Sequence, residues 1–195
     1  MTYEIAALDA LTAPAWLRFF EACGSACFCR FWHFEGKKND WLERCAFRPD
    51  DNRDEQLALV RVAAPEGRGL LALHEGVVVG WMKLAPHESI PKLTSLPVYR
   101  ALTAEPGSWV VGCFLVSPGM RREGVARALL QAAETHVCAW GGRFLLGHPR
   151  RSNEPLHDEE AWQGPEKLFL ELGYTPIHDV GPYPVYRKVV NRAAT

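Results

Sequence analysis

The sequence predicts a mixed α/β (α+β) protein built around one central sheet, and three stretches carry that prediction. Residues 70–74 and 77–85 are strand-like runs joined by the turn dipeptide Glu75-Gly76, which makes them a hairpin. Residues 109–116 form an apolar, β-branched and aromatic run of strand length that Ser117-Pro118-Gly119 breaks. A helix follows, with Val125, Leu129, Ala132, Ala133, His136, Val137 and Trp140 on one face. Gly141-Gly142 ends it, and residues 143–147 return as a strand parallel to 109–116, completing a β-α-β unit. At 195 residues the chain is long enough for a single domain with a real core.

The remaining elements follow from local signals. Tyr3, Ile5 and Ala7 alternate with Thr2, Glu4 and Ala6, giving a short first strand over 3–8. Thr12 caps a helix with Pro14 in its first turn; Trp16, Leu17, Phe19, Phe20 and Cys23 supply its apolar face, and Gly24 stops it. Asn39 or Asp40 caps a short helix through Phe47, ended by Arg48-Pro49 because a residue before proline avoids helical geometry. Residues 51–63 form another helix, acidic in its first turn, with Leu57, Val60 and Ala64 on one face. Residues 86–107 make a long proline-containing connection and 148–160 a polar loop. Gly164-Pro165 opens a last helix with Leu168, Phe169 and Leu172 apolar and Gly173 at its end; 174–180 and 184–190 close the chain as an antiparallel pair.

Composition narrows the function classes. A net charge of −1 and a pI near 6.7 argue against nucleic acid or an anionic membrane surface as the main partner. No apolar run reaches membrane-spanning length, and the first residues lack the basic and apolar regions of a secretory signal, so a cytoplasmic location is expected. Cys23, Cys27 and Cys29 cluster while Cys45, Cys113 and Cys138 are scattered, which does not look like a disulfide framework. A zinc site drawing on that cluster with His33 and Cys45 is the sharper alternative, but C-x3-C-x-C lacks the paired spacing of common structural sites; no metal is expected, and half-buried thiols on a pocket wall are the reading adopted.

The stretch most charged with chemistry is Arg121-Arg122-Glu123-Gly124-Val125-Ala126, between strand and helix. A helix starting there presents N–H groups without intrahelical partners at the positive end of its dipole, a setting that favours an anionic phosphate. Gly124 and the small Ala126 let oxygens approach the backbone, and the arginines add matching donors. Arg121-x-x-Gly124-x-Ala126, with the strand before it and the long helix after it, resembles motif A of the GNAT N-acetyltransferase superfamily. Gly80-Trp81 and Pro86 before the motif and LFLELGY at 168–174 after it match the order of elements in that superfamily. Cys27-Phe28-Cys29-Arg30-Phe31-Trp32 is similar to a Cys-x-Cys and aromatic segment of a bacterial branch of it.

The resemblance implies a mostly antiparallel mixed sheet of about six to seven strands, splayed between the fourth and fifth. It implies one acetyltransferase domain over 1–195: 1–69 as acceptor wall, 70–147 as hairpin and acetyl-CoA core, 148–195 as C-terminal helix and hairpin. The cosubstrate would be acetyl-CoA, its pantetheine arm pairing with the backbone of Phe114, Leu115 and Val116 and its diphosphate cradled by the N–H groups of Arg122, Glu123, Gly124, Val125 and Ala126, with Arg121 at the motif's first position. A backbone N–H of Phe114 or Leu115 would polarise the thioester carbonyl. The acceptor would be a small molecule or an exposed amino group, lying against Cys27, Cys29, Phe31 and Trp32.

Two departures stand out. Phe169 occupies the coenzyme-facing position where many members carry a tyrosine that protonates the departing thiolate, and Trp162 the position of a frequent asparagine. The acid then falls to water, Tyr183 or Tyr186. The motif strand carries no glutamate, which leaves His87, His148 and Glu123 as candidate bases, histidine being suited to neutral pH. A catalytically degenerate acyl-CoA-binding sensor is the alternative function, and a nucleotide-binding protein is disfavoured by the absence of its glycine-rich signatures. Nothing in the sequence fixes the oligomeric state, and a homodimer is left open.

Overall fold

A computed structural model of the chain describes residues 1–100, 104–154, 156–157, 160–179 and 181–190. Its elements are β1 (Glu4–Ala7), α1 (Ala13–Ala22), α2 (Lys38–Phe47), α3 (Pro49–Arg61), β2 (Gly69–His74), β3 (Val77–Pro86), α4 (Pro91–Ser95), β4 (Ser108–Val116), α5 (Val125–Ala139), β5 (Phe144–Gly147), α6 (Glu166–Glu171), β6 (Thr175–His178) and β7 (Val185–Val189). The strands form one seven-stranded sheet in the order β1-β2-β3-β4-β5-β7-β6. Only β4 and β5 run parallel; every other pair is antiparallel. The mixed, mostly antiparallel sheet expected from the sequence is present. Among the described residues no helix is long and apolar enough to cross a membrane.

Both faces of the sheet are covered. On one, α5 lays Val125, Leu129, Ala133 and Val137 against Leu70, Ala72, Met82, Leu84 and Val111, and α6 adds Leu168 and Phe169. On the other, Trp16, Phe19 and Phe20 of α1 meet Leu71, Val78, Trp81 and Cys113. Further along that second face Trp32, Ile90, Leu93 and Tyr99 cover Ala85, Val110, Leu146 and Val185. A strand's side chains alternate between faces, so each central strand is apolar on both sides and reads as a continuous run.

Several boundaries differ from expectation for identifiable reasons. Helix α2 begins at Lys38, before Asn39 and Asp40, and Asp40 caps from its third position by accepting the Lys37 N–H at 2.9 Å. Helix α3 starts at Pro49, since proline fits a first helical turn, and it buries Asn52 and Gln56 beside Val60. The connection 86–107 contains α4, which its prolines obscured, and 101–103 lie outside the described residues. So do Pro155, Asp158 and Glu159 of the loop expected at 148–160, and Val180 at the end of the strand expected at 174–180. Cys29 and Cys113, expected as separate thiols, are joined as a disulfide.

Gly147, the last residue of β5, has the ring of Phe169 against it: a Cβ there would come within 2.3 Å of Phe169 Cε1. Gly147→Ala is expected to lower the unfolding free energy by about 1–3 kcal/mol through overpacking. Gly119→Ala, whose Cβ would meet nothing within 4 Å, is expected to leave it unchanged. Urea titrations of the two variants beside the parent check the pair.

Candidate active site

The site begins with an irregularity in β4. Leu84 pairs with Val111 and Met82 with Phe114, so β4 carries one residue more than β3 between these pairs, a β-bulge at Gly112 and Cys113. On the opposite edge, β5 pairs with β4 only as far as Val111 with Gly147. Bulge and splay therefore coincide. Ser117 N–H donates to Val79 O at 2.9 Å, so by the alternation of a strand the Leu115 amide also faces β3, while those of Phe114 and Val116 face the open side. Leu115 therefore does not offer the donor expected of it. Phe114 does face the splay, but its N–H already donates to Trp162 O at 2.6 Å.

Beyond β4 the chain turns through Pro118–Met120 into α5. The amides of Met120 and Arg121 are satisfied by Ser117 O and Pro118 O within this turn. Those of Arg122, Glu123, Gly124, Val125 and Ala126 have no backbone acceptor among the described residues. Gly124 has φ +88 and its would-be Cβ meets nothing within 4 Å, so the turn is open to solvent. Arg122, also at positive φ (63), and Glu123 are exposed, and the Tyr3 hydroxyl fixes the turn by donating to Glu123 O at 3.0 Å. Open amides at the start of a fifteen-residue helix make an anion site.

Around the bulge stands a wall of rings. Trp32 Nε1–H donates to Gly112 O at 2.6 Å, and Trp162 packs 5.8 Å from Trp32 and 5.7 Å from Phe31. His148, the residue after β5, is fully buried with its ring 5.0 Å from Tyr99 and 5.8 Å from Trp32, and neither ring nitrogen has a partner. Burial, reinforced by the neighbouring His87, pushes its pKa down to about 3. His87 is half-buried with Nε2 unpartnered, and burial lowers its pKa too. Tyr99 is pushed up to about 12, chiefly by burial. Among the three candidate bases, His148 follows β5 with His87 near enough to bear on it electrostatically, and Glu123 lies apart on the exposed turn before α5.

The other expected site residues are dispersed. Cys29 is buried, bonded to Cys113 and accepting the Trp81 Nε1–H at 3.1 Å, so neither sulfur lines an open acceptor wall. Cys27 is half-buried, accepting the Cys29 N–H at 3.4 Å. Phe169 is fully buried between Gly147, Phe114 and Tyr174. Tyr186 directs its hydroxyl to Glu166 and accepts from Arg151 at 3.3 Å; burial first, then Glu166, raises its pKa, which makes it a poor proton donor. Tyr183 is partly exposed beside Tyr99. Among the described residues no group of His, Cys, Asp or Glu is arranged to hold a metal. Two contributors were not foreseen: the Trp162 carbonyl, a backbone atom no side-chain pattern announces, and Lys83, whose signal was a lysine inside an otherwise apolar strand. Lys83 is fully buried, donating to Gln56 Oε1 at 3.0 Å and to Glu66 O.

A mixed sheet splayed beyond its one parallel pair, with an open amide turn where the fourth strand enters its helix, defines an acyltransferase. The chain belongs to the acetyltransferase (GNAT) family, whose model matches residues 37–158. Solved structures agree on the fold. The PaiA N-acetyltransferase of Thermoplasma acidophilum, in complex with coenzyme A, is 10% identical, with a TM-score of 0.56 over 97% of this chain and 99% of that one. The ribosomal-protein-S5-alanine acetyltransferase of Vibrio fischeri is 12% identical, with a TM-score of 0.57 over 98% and 94%. The GNAT domain of S. lividans PAT is 16% identical, with a TM-score of 0.55 over 97% and 91%. No curated protein matches the chain significantly.

A histidine depressed in the folded state binds more protons when unfolded, so its contribution to stability is complete above the unfolded pKa near 6.5 and is lost as the pH falls toward 3. Between pH 7.5 and pH 5 the parent is expected to lose about 2 kcal/mol more than His148→Gln, at 1.36 kcal/mol per pKa unit below about 6.5. Urea midpoints at the two pH values measure the difference; parallel losses would show that His148 is not buried as a neutral ring.

Proposed function

We propose that the chain is an acetyl-CoA-dependent N-acetyltransferase, a single cytoplasmic domain whose amine acceptor attacks the thioester directly. The observation that carries this reading is the row of unsatisfied amides from Arg122 to Ala126 at the start of α5, open at Gly124. These residues fit a diphosphate: five donors without backbone acceptors, an exposed arginine and the positive end of a helix. They would hold it, and the open-side backbone of Phe114 and Val116 would lie along the pantetheine arm. When bound, acetyl-CoA supplies an activated acyl thioester.

The chain's own residues then act on the amine. An amine nucleophile must be neutral, and a wall of Trp32, Tyr99 and Trp162 disfavours an ammonium by excluding water. His148 is neutral across the physiological range and has a free ring nitrogen to accept an amine N–H, which orients the lone pair. His87, close enough to bear on His148 electrostatically and less deeply buried, is the group placed to pass a proton outward. Phe169 brings no proton to the departing thiolate and Tyr186 is committed to Glu166, so the thiolate's proton comes from Tyr183 or water.

Calorimetry with acetyl-CoA tests the carrying observation. Gly124→Asp is expected to weaken binding at least tenfold, because aspartate tolerates positive φ yet sets a carboxylate where the diphosphate sits. Gly124→Asn, equal in shape but uncharged, should lose much less. Undiminished binding by the aspartate variant removes the diphosphate from this turn. Thiol release with an amine panel, expected to fall at least tenfold in kcat for His148→Gln, tests turnover; tight binding without thiol release from any amine would instead leave an acyl-CoA-binding module.

A further inference from the structure

A groove of about 490 Å³ opens beside the ring wall, within the size range of small-molecule sites. Its apolar side is Phe31, Trp41, Leu42 and Leu96. Phe31 joins it to the splay, with Trp162 5.7 Å away and Trp41 5.7 Å on the other side. Trp162 in turn touches β4 through the hydrogen bond from Phe114. The groove thus adjoins, across the packed rings of Phe31 and Trp162, the place where an acyl group would be transferred, two ring contacts distant, on the order of 10 Å.

The rest of the lining is strongly one-signed. Lys37, Lys38 and Lys92 border the groove against a single carboxylate, Glu35. None of the three lysines has an acidic partner among the described residues, whereas Arg30, Arg44, Arg151 and Lys188 each do. Lys92 is also anchored: its ammonium lies 5.3 Å over the Phe31 ring and 5.6 Å over the Phe34 ring and donates to Gly36 O at 3.3 Å. An ammonium carries three donors, so others remain for a ligand.

We propose that the acceptor is a small amine bearing an anionic group at its far end, with its apolar middle along Phe31, Trp41 and Leu96 and its anionic group held by Lys37, Lys38 and Lys92. The proposal deepens, and rests on, the reading of the chain as an N-acetyltransferase. Charge complementarity selects the anion, the ring wall selects the apolar middle, and the distance between lysines and splay separates amine from anion. An α-amino group, adjacent to its own carboxylate, does not span that distance.

Matched probes test it: para-aminomethylphenylacetate and its uncharged counterpart para-ethylbenzylamine. Dissociation constants are read from tryptophan fluorescence, Trp41 lying in the groove, and do not depend on turnover. The acid is expected to bind at least tenfold more tightly than the neutral amine, with the preference shrinking in high salt and in Lys37→Gln/Lys38→Gln, both surface positions. In thiol release the same preference should appear in KM more than in kcat. Equal or reversed preference, no binding of the acid at millimolar concentration, an unchanged preference in the double variant, or tighter binding of an acidic peptide than of the small acid each overturns the proposal. Calorimetry with acetyl-CoA on the same preparation separates the two levels: loss of coenzyme binding overturns the enzyme reading itself, while retained coenzyme binding with no acid preference overturns only the acceptor class.

Discussion

The extra residue in β4 is the constraint on which the rest of the site depends. Without the bulge at Gly112 and Cys113, the strand would keep strict alternation beyond Val111. With it, Cys113 falls on the face where Cys29 lies and Gly112 turns its carbonyl to Trp32. The same local twist lets β5 part from β4 after Gly147, which opens the splay. One inserted residue thus opens the splay on one edge and anchors the ring wall on one side of the sheet. Gly112 suits the place because a Cβ would meet Lys83 Cγ at 3.0 Å and Trp32 Cδ1 at 3.2 Å.

The wall carries polar groups that a merely structural core would avoid. Phe28 and Cys29 sit at φ 40 and 54, a region costly for residues with a Cβ, and are held there by the ring stack on Phe20 and the bond to Cys113. His148 has no partner at either nitrogen, and an unsatisfied buried polar group costs about 1–3 kcal/mol. Lys83, by contrast, is buried with two of its three donors engaged, and through them it ties β3 to the 65–67 turn.

Most of the fold was legible because its signals are periodic and local: the Glu75-Gly76 turn, the strand at 109–116, the face of α5 and the motif after β4 are each contained in a few consecutive residues. The open amide turn before α5 was legible for the same reason. What escaped notice is non-local. Cys29 and Cys113 are 84 residues apart, and no spacing announces their meeting. The direction of the Leu115 amide depends on the register of β3 against β4, and the partner of Phe114 is a carbonyl 48 positions on, from a loop with no pattern of its own. The pairing of His87 with His148 likewise arises only once α4 and its flanking turns fold over β5.

If acetyl-CoA lies as proposed, the Trp162 contact bears on where its affinity would reside. An arm entering the splay exchanges the Phe114–Trp162 hydrogen bond for one of its own, and a net hydrogen bond is worth only about 1 kcal/mol, so the exchange is close to neutral. At the diphosphate end nothing in the protein has to be displaced. There the open amides gain charged acceptors, and hydrogen bonds to charged groups contribute about 1.5–3 kcal/mol each. On that reading binding energy would be concentrated at the turn before α5, while the strand edge would contribute direction: by moving Trp162 from Phe114, an arriving arm would disturb the ring that touches both Trp32 and Phe31. Occupation of the proposed coenzyme side would in this way be coupled, through the single residue Trp162, to the ring wall proposed for the acceptor.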